Sequence, residues 1–337
     1  MTSSAPPATD DLQQLEHLAQ AVATLREQVG RRIVGQQDVV DGVLTAILGG
    51  GHALLIGVPG LAKTLLVSTV AEALALSFNR IQFTPDLMPG DITGTELVEE
   101  DPATGRRSFR FVHGPVFANV VLADEINRTP PKTQAALLQA MQEHMVTVAG
   151  HTYPLPAPFF VLATQNPIEQ EGTYPLPEAQ LDRFMLELRV GYPTKREEEA
   201  IVEQTTADLV TEVRSVLDAD TLAGMQHLVR RIAVSTGLIQ AAVLLARMTR
   251  PTDADAPALV REYVEWGAGP RASQYLVLGA KARAAMDGRP MADLQDIRAV
   301  APAVLRHRVM TNFAAEAAGR TSEQVVAELV AGASWGK

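Results

Sequence analysis

Short apolar runs alternate with stretches of helical periodicity between residues 12 and 192. Five of these runs are predicted strands, at residues 53–56, 80–83, 120–123, 159–164 and 184–190. Several of them are almost continuously apolar, as expected of strands that are buried on both faces. Helical patterns at residues 63–76 and 132–143 separate some of the runs. Strand, helix and strand in succession indicate parallel pairing with right-handed crossovers, so the pattern predicts a three-layer α/β domain with a parallel sheet.

Helices are predicted on both sides of this domain, and two hairpins are predicted within it. Two helices precede the first strand: one carries Leu15, Leu18 and Val22 on a single apolar face, and the other covers residues 37–48. The hairpin strands are expected at 96–98 with 108–112, around a turn at 101–105, and at 145–148 with 152–153. From about residue 193 the strands are predicted to stop, and only helical patterns follow, at 238–248, 258–266, 272–286 and 323–330.

These patterns divide the chain into three parts. Residues 1–11 are predicted to form a disordered tail, residues 12–192 the α/β core, and residues 193–337 an all-helical domain. The hairpins are insertions in the core near residues 91–115 and 144–154. Trp266, which falls within one of the helical patterns, is expected to lie in the core of the helical domain. The charged run at residues 195–199 is expected to begin an exposed helix.

Composition narrows the possible functions. The chain has 337 residues and no Cys, which excludes disulfides, thiolate nucleophiles and Cys-based zinc sites. Its formal net charge of −10 argues against a dedicated nucleic-acid-binding protein. No apolar run approaches the roughly 18 residues that span a bilayer, and the N-terminus does not have the pattern of a secretory signal. A cytoplasmic protein without membrane insertion is therefore expected.

A glycine-containing loop follows the first predicted strand and leads into a helix. Its residues are Gly57, Val58, Pro59, Gly60, Leu61, Ala62, Lys63 and Thr64. The N–H groups of such a loop, together with a helix N-terminus, bind phosphate oxygens. Lys63 would lie between the β- and γ-phosphates, and the Thr64 hydroxyl would bind Mg²⁺. Ala62 stands where this motif ordinarily has Gly, which is acceptable if that residue is already helical. The alternative is an ordinary turn between a strand and a helix.

Two carboxylates, Asp124 and Glu125, end the third predicted strand. In phosphate-loop proteins a strand beside the loop presents an acidic residue to the metal, so Asp124 would hold the Mg²⁺ shell. Glu125 would polarise the attacking water, which distinguishes a hydrolase from a protein that only binds nucleotide. The alternative is a pair of solvated acids at the start of a turn.

Three further polar residues are candidates for the same chemistry. Asn166, at the end of the fourth strand, could orient the water or contact the γ-phosphate, or it could be a turn residue before Pro167. Arg183, before the fifth strand, and Arg271, before a helix of the second domain, suit phosphate oxygens, although either could form a surface contact. No other arginine of the core is expected at the phosphate loop.

The ordered set of motifs resembles the AAA+ ATPases, and within them the MoxR family of the helix-2-insert clade. The resemblance covers roughly residues 12–335. The matching stretches are residues 33–36, the phosphate loop, residues 83–91, the acidic strand with residues 126–128, and residues 163–167, 176–184 and 267–273.

The resemblance implies roles for individual residues. Val34 and Gly35 would flank the adenine, and the loop through Leu65, with Asp124, would hold ATP or ADP and Mg²⁺. Asn166 would be the first sensor. Pro270 and Arg271 would bring the second sensor from the helical lid, whose closing would convert phosphate chemistry into domain motion. Arg183 would be the arginine finger that reaches the neighbouring subunit's site. Lys63, Glu125, Asn166, Arg183 and Arg271 are thus the expected catalytic set.

The resemblance also implies a function. Members of this family are chaperone-like ATPases that mature or activate protein complexes, often with a partner that carries a von Willebrand A domain. The expectation is a homo-oligomeric ring, taken as a hexamer, that couples ATP hydrolysis to remodelling of protein clients, with both hairpins facing its pore. The motor of a metal chelatase and a non-catalytic nucleotide-sensing scaffold are the alternatives. A nucleic-acid motor is disfavoured by the acidic charge balance.

Overall fold

The structure is a computed structural model that describes residues 9–100, 107–168, 172–208 and 211–332. The helices in these ranges are α1 (Thr9–Gly30), α2 (Gln37–Gly49), α3 (Lys63–Ala73), α4 (Pro89–Thr93), α5 (Pro131–Glu143), α6 (Glu178–Leu181), α7 (Lys195–Thr206), α8 (Ala219–Arg231), α9 (Thr236–Met248), α10 (Ala258–Tyr263), α11 (Pro270–Met286), α12 (Leu294–Leu305), α13 (Phe313–Ala317) and α14 (Ser322–Gly332). The strands are β1 (Ala53–Ile56), β2 (Phe78–Gln82), β3 (Gly94–Glu100), β4 (Arg107–His113), β5 (Val120–Asp124), β6 (Met145–Val148), β7 (His151–Pro154), β8 (Phe160–Gln165), β9 (Leu186–Arg189), β10 (Val264–Trp266) and β11 (Met310–Thr311).

The centre of the molecule is a five-stranded parallel sheet with strand order β2-β5-β8-β1-β9. Strands β5 and β8 are buried almost throughout, as their continuous hydrophobicity predicts. All five predicted core strands are present, and their ends differ from the prediction by at most two residues. The predicted three-layer α/β fold is confirmed. Because the strands are parallel, the carboxyl ends of β1, β5 and β8 meet at one edge of the sheet.

Both predicted hairpins are present as separate two-stranded sheets. Strand β3 pairs with β4, and β6 pairs with β7, both antiparallel. The turn predicted at residues 101–105 lies outside the described residues. In the first hairpin, Val98 lies opposite Phe109, and the two residues are 57% and 72% exposed. An apolar cross-strand pair is therefore displayed to solvent.

The C-terminal region is helical, but three predictions about it were wrong. Strands β10 and β11 pair antiparallel there, so strands do not stop at residue 193. The helix expected over 258–266 ends at Tyr263, because the chain turns extended at Val264 and pairs with Thr311. Trp266 lies on the resulting ribbon and is 68% exposed rather than part of the core.

The helical region packs against the side of the core that carries α2 and β9. Helix α11 contacts α2, and α12 contacts β9. One hydrophobic cluster runs from α1 and α2 through one face of the sheet into α9, α11 and α12. Helix α1 begins at Thr9, so residues 9–11 of the predicted tail are helical, while residues 1–8 lie outside the described part.

Helix α7 begins where its charged run predicted, with a side-chain cap at its first turn. The Thr194 hydroxyl accepts a hydrogen bond from Glu197 N, and the Glu197 carboxylate accepts one from Thr194 N at 2.7 Å. This capping box satisfies two N–H groups that a helix N-terminus leaves unpaired. Among the described residues, none of the helices has the length and apolar character needed to cross a membrane.

Candidate active site

The loop between β1 and α3 packs closely against Val190 at its start and folds around the ammonium group of Lys63. A Cβ on Gly57 would lie 2.6 Å from the Val190 carbonyl oxygen, so only glycine fits there. Lys63 Nζ donates to the carbonyl oxygens of Gly57 and Val58 at 2.6 and 2.8 Å. Burial lowers the pKa of Lys63, while Asp124 and Glu125 raise it. The cation is thus held at the mouth of the loop, facing two carboxylates.

Alanine was expected to be acceptable at position 62 if that residue were already helical, but Ala62 is not helical. Its φ and ψ are 54° and 22°, in the left-handed region, and it precedes the first residue of α3. For an L-residue with a Cβ this conformation costs about 1–2 kcal/mol. The loop geometry is therefore kept at a cost in stability.

We expect Ala62→Gly to raise the free energy of unfolding by about 1 kcal/mol, because it removes the steric cost of the left-handed conformation. Urea denaturation of the two proteins measures the difference. The matched control is Ala135→Gly, at an exposed position of α5, which should lower the free energy of unfolding by about 1 kcal/mol. A loss of stability in Ala62→Gly would contradict the strain at this position.

The acidic pair ends β5 beside the loop, and its first member is buried. Asp124 is 8% exposed, which contradicts the alternative of two solvated acids. Its Oδ1 accepts a hydrogen bond from the Thr164 hydroxyl at 2.6 Å, and its Oδ2 accepts from Arg80 Nη2, also at 2.6 Å. The Thr164 oxygen in turn accepts from Glu125 N at 2.9 Å. The Thr164 side chain of β8 therefore fixes the carboxylate of Asp124 and the backbone of Glu125.

Glu125 is held in a defined orientation from two sides. Its Oε2 accepts from Gln82 Nε2 at 2.9 Å and pairs with Arg128 Nη1 at 3.0 Å. Its φ of 57° places the residue in the left-handed region, as in strained residues that cluster at active sites. Gln82 also accepts from Arg80 Nη2 at 2.5 Å. A continuous polar chain thus links Asp124 to Glu125 through two side chains of β2.

Arg80 corrects the expectation that the core has no arginine of its own at the phosphate loop. It lines the same cavity as Lys63 and contacts Asp124. Arg80, Gln82 and Thr164 are the site residues that the sequence analysis missed. A signal was present for the first two, because polar residues two apart in a β-strand share a face, here beside β5.

Asn166 follows β8 and is 6% exposed. Its Oδ1 accepts from Ile168 N at 3.2 Å, while its buried Nδ2 has no hydrogen-bond partner among the residues that the structure describes. A buried donor without an acceptor is costly unless something else accepts from it. The amide therefore fits the oxygen of a bound anion.

Two adjoining cavities lie at this edge of the sheet. One, of about 580 Å³, is lined by Lys63, Thr64, Asp124, Glu125 and Asn166 with the loop and Arg80. The other, of about 330 Å³, is mainly apolar and is lined by Ile33, Val34, Leu61, Leu65, Tyr192 and neighbouring residues of α7. They share wall residues 60–62, 65, 201 and 205. An apolar recess continuous with a polar, cation-bearing one matches a nucleoside phosphate.

Most of the nucleotide-binding residues predicted in the core lie on these cavities, with three differences. Gly35 does not line either cavity, and its backbone lies so close to the Glu197 side chain that a Cβ would have no room. Gly57 and Val58 contribute through their carbonyls to Lys63 rather than to the wall. The oxygens of Thr64 and Asp124 in the larger cavity are the type of ligand that Mg²⁺ prefers, so the donor set fits this metal.

Arg183 and Arg271 line a different pocket. It has a volume of about 210 Å³ and also includes Gly50, Gly51, His52 and Tyr275. It lies at the amino end of β1, about 15 Å from the phosphate loop by the length of that strand. Burial lowers the pKa of His52 to about 4, so this imidazole is neutral and adds no charge to the two arginines.

Pro270 and Arg271, which the resemblance assigns to nucleotide binding from the lid, lie away from the phosphate loop of the same chain. Neither residue lines the cavities there, because the lid packs on α2 and β9 instead. Arg271 pairs with Asp182 at 3.6 Å, and Arg183 Nη1 donates to the Leu138 carbonyl. The two arginines therefore form one group that is remote from the site on the same chain.

This sheet, its phosphate loop and the carboxylate pair define a P-loop nucleotide-binding domain of the AAA+ class. The model of the "ATPase family associated with various cellular activities (AAA)" matches residues 52–186, and the "AAA lid domain" model matches residues 256–329. Chaperone MoxR1 of Mycobacterium tuberculosis is 43% identical over 314 residues, which span 92% of this chain and 82% of that protein. The chain belongs to the MoxR family of AAA+ ATPases.

Other relatives agree with this assignment. Protein MoxR of Methylorubrum extorquens is 32% identical over 86% of this chain and 87% of its own length. YeaC of Bacillus subtilis is 40% identical over 90% of this chain and 91% of its own length. A crystal structure from Cytophaga hutchinsonii, solved as a suspected ATPase, has a TM-score of 0.87 and 39% identity, and covers 95% of this chain and 96% of that one.

Proposed function

We infer that this chain hydrolyses ATP in a site shared between two copies and uses the cycle to remodel protein partners. The placement of the arginines carries this proposal. The chain builds a phosphate cavity at the carboxyl edge of the sheet and an arginine pair at the amino end of β1. Neither group is complete alone. Head-to-tail association of identical chains would bring one copy's arginines to the next copy's cavity and would generate a ring.

Within one chain, the cradle residues divide the binding task. Lys63 and Asn166 would contact phosphate oxygens, and the apolar recess with Val34 and Leu65 would take the base. Thr64 and Asp124 would hold Mg²⁺, which neutralises developing charge on the phosphates. Arg80 adds a positive charge beside Asp124.

Glu125 is the proposed base for the attacking water. Its carboxylate is fixed by Gln82 and Arg128, so its orientation does not depend on solvent. A positioned carboxylate that accepts a proton contributes about 10²–10⁴-fold in rate. The presence of Glu125 and Arg183 together argues against the scaffold alternative, because a protein that only senses nucleotide needs neither.

Remodelling of proteins is the favoured use of this chemistry. The exposed apolar pair of Val98 and Phe109 on the first hairpin offers a surface that could contact a protein chain. A related protein, MoxR1, is named a chaperone. The alternative, a motor subunit of a metal chelatase, would use the same ATP site. The lead proposal adds a hexameric ring and a partner that carries a von Willebrand A domain. Affinity purification of the tagged chain, with mass spectrometry of bound proteins, separates these possibilities.

Steady-state ATPase activity measured against protein concentration tests the shared site, with oligomer mass recorded at each concentration. We expect turnover per chain to rise with assembly and to reach a plateau when assembly is complete. Equal turnover per chain by monomers and by assembled protein would contradict the proposal.

A further inference from the structure

Arg183 lies on a segment without regular secondary structure. Residues 182–185 connect α6 to β9, and none of them belongs to a helix or strand. A catalytic side chain must be held within a fraction of an ångström of its productive position, so an irregular segment needs restraint from outside. The contacts of this segment show where that restraint comes from.

Side chains of the lid donate hydrogen bonds to four successive main-chain carbonyls of this segment. Arg308 donates to the carbonyl oxygens of Asp182, Phe184 and Met185 at 2.9, 2.7 and 3.4 Å. The Tyr275 hydroxyl donates to the Arg183 carbonyl at 3.3 Å. The backbone on both sides of the proposed finger is thus bonded to the lid.

Arg308 is buried, and its bonding capacity is filled. Its side chain is 2% exposed, its Nε donates to Asp182 Oδ1 at 2.7 Å, and a further bond reaches the Val304 carbonyl. Its guanidinium also lies 5.1 Å from the centre of the Tyr275 ring. A buried cation is tolerated only when its partners are well placed, which makes such a group rigid. Lysine, with three donors and no planar fork, cannot reproduce these bonds.

Asp182 connects Arg308 to the remote arginine group, because it precedes Arg183 in the chain and pairs with Arg271. One carboxylate oxygen accepts from Arg308 Nε, and the other pairs with Arg271 at 3.6 Å. Arg271 and Tyr275 lie four residues apart on α11, so they share one face of that helix. One connected unit therefore crosses the boundary between core and lid, and it consists of Arg308, Asp182, Tyr275, Arg183 and Arg271.

We propose that Arg308 is a positioning residue that fixes Arg183 and Arg271 as one unit for presentation to the neighbouring copy's ATP. This inference rests on the shared site proposed above. Arg308 itself contacts neither nucleotide nor water in this scheme; it acts through Asp182 and the carbonyls that flank Arg183. A movement of the lid then moves the finger with it.

The first test is the variant Arg308→Lys, assayed for ATP affinity and for turnover at saturating ATP. We expect the dissociation constant of ATP to stay unchanged, because the chain's own cavity is intact. Misplacement of a catalytic group by about 1 Å can cost 10²-fold, so we expect kcat to fall by about 10²-fold. Unchanged kcat would overturn the proposal.

A mixing experiment separates positioning from a general folding defect. Arg308→Lys is mixed with Glu125→Gln, which lacks the base and keeps its arginines. At interfaces where Glu125→Gln supplies the finger to an intact cradle of Arg308→Lys, hydrolysis should return. The reference is the mixture of Arg183→Ala with Glu125→Gln. A mixture of Arg308→Lys with Arg183→Ala should stay inactive, because both lack a working finger.

The outcomes distinguish this proposal from the shared site itself. Return of activity in both mixtures with Glu125→Gln supports the role of Arg308. If activity returns when Arg183→Ala is mixed with Glu125→Gln but not when Arg308→Lys is mixed with Glu125→Gln, the role of Arg308 is overturned and the shared site stays intact. Absence of return in both overturns the shared site, and the proposal with it.

Two further variants keep the test decisive. If Arg308→Lys does not fold, Asp182→Asn weakens the same unit while keeping side-chain volume, and a fall in kcat of about tenfold with the same rescue is expected. Full activity of Asp182→Asn would count against the proposal. Arg320→Lys is the matched control, because Arg320 also lies over an aromatic ring, that of Tyr263 at 5.3 Å, and pairs with a carboxylate, that of Glu328, within the lid alone.

Discussion

Replacement of Arg183 by alanine is expected to lower kcat by at least about 10³-fold while the affinity for ATP stays unchanged. The guanidinium lies at the amino end of β1, remote from the Lys63 cavity of its own chain, so its loss leaves the binding groups in place. It would remove charge stabilisation from the neighbour's transition state only. Titration of a fluorescent ATP analogue and a steady-state assay measure the two quantities.

The control for this variant is Arg261→Ala. Arg261 is an exposed arginine of α10 that donates to one main-chain carbonyl, that of Ala254, much as Arg183 donates to that of Leu138. Its loss should leave both quantities unchanged. Normal turnover in Arg183→Ala would exclude it as the finger. The next candidate for the finger would then be Arg128, which in this structure pairs with Glu125 of its own chain at 3.0 Å.

Local signals in the sequence were sufficient for the sheet and for the phosphate cradle. Continuous apolar runs located β5 and β8, and the polar residues at their carboxyl ends located Asp124, Glu125 and Asn166. Parallel topology then brings these ends to one edge of the sheet, whatever the details of the loops. The placement of these residues around one cavity was predictable because it follows from strand order and strand ends.

Features that depend on packing between distant segments were not predictable. The left-handed conformation of Ala62 is imposed by the loop that surrounds Lys63, and nothing in alanine favours it. Arg271 was predicted to bind nucleotide, but the lid packs on α2 and β9, which brings Arg271 beside Arg183 and away from the phosphate loop of its own chain. Trp266 was assigned to a helix core from periodicity alone, whereas pairing of β10 with β11 displays it to solvent.

Arg80 shows how a residue can be overlooked inside a correctly predicted strand. The run at residues 80–83 was interpreted by its hydrophobicity, and its two polar members were not assigned a role. Only the neighbouring strand gives them one: β2 pairs with β5 so that Gln82 lies opposite Asp124. A charged side chain on a strand next to the acidic pair is therefore a site candidate. Its role is not visible locally, because its partner lies about 40 residues away in the chain, as in the Arg80–Asp124 contact.

Replacement of Glu125 by glutamine is expected to stop turnover and leave ATP bound. The amide has the shape of the carboxylate and can still accept a hydrogen bond from Gln82, but it cannot take a proton from water. Loss of a general base should lower kcat by about 10²–10⁴-fold. Because Lys63, Thr64 and Asn166 are untouched, ATP labelled on its γ-phosphate should remain with the protein after rapid desalting and should stay unhydrolysed.

Glu143→Gln is the matched control for this variant, because Glu143 Oε2 also accepts from a glutamine amide, that of Gln139 at 3.0 Å, on the exposed end of α5. It should hydrolyse ATP normally. Undiminished hydrolysis in Glu125→Gln would remove Glu125 as the base. Loss of ATP binding would instead mean that its main task is to hold the polar chain through Gln82 and Arg128, and that the carboxylate organises the cavity rather than activates water.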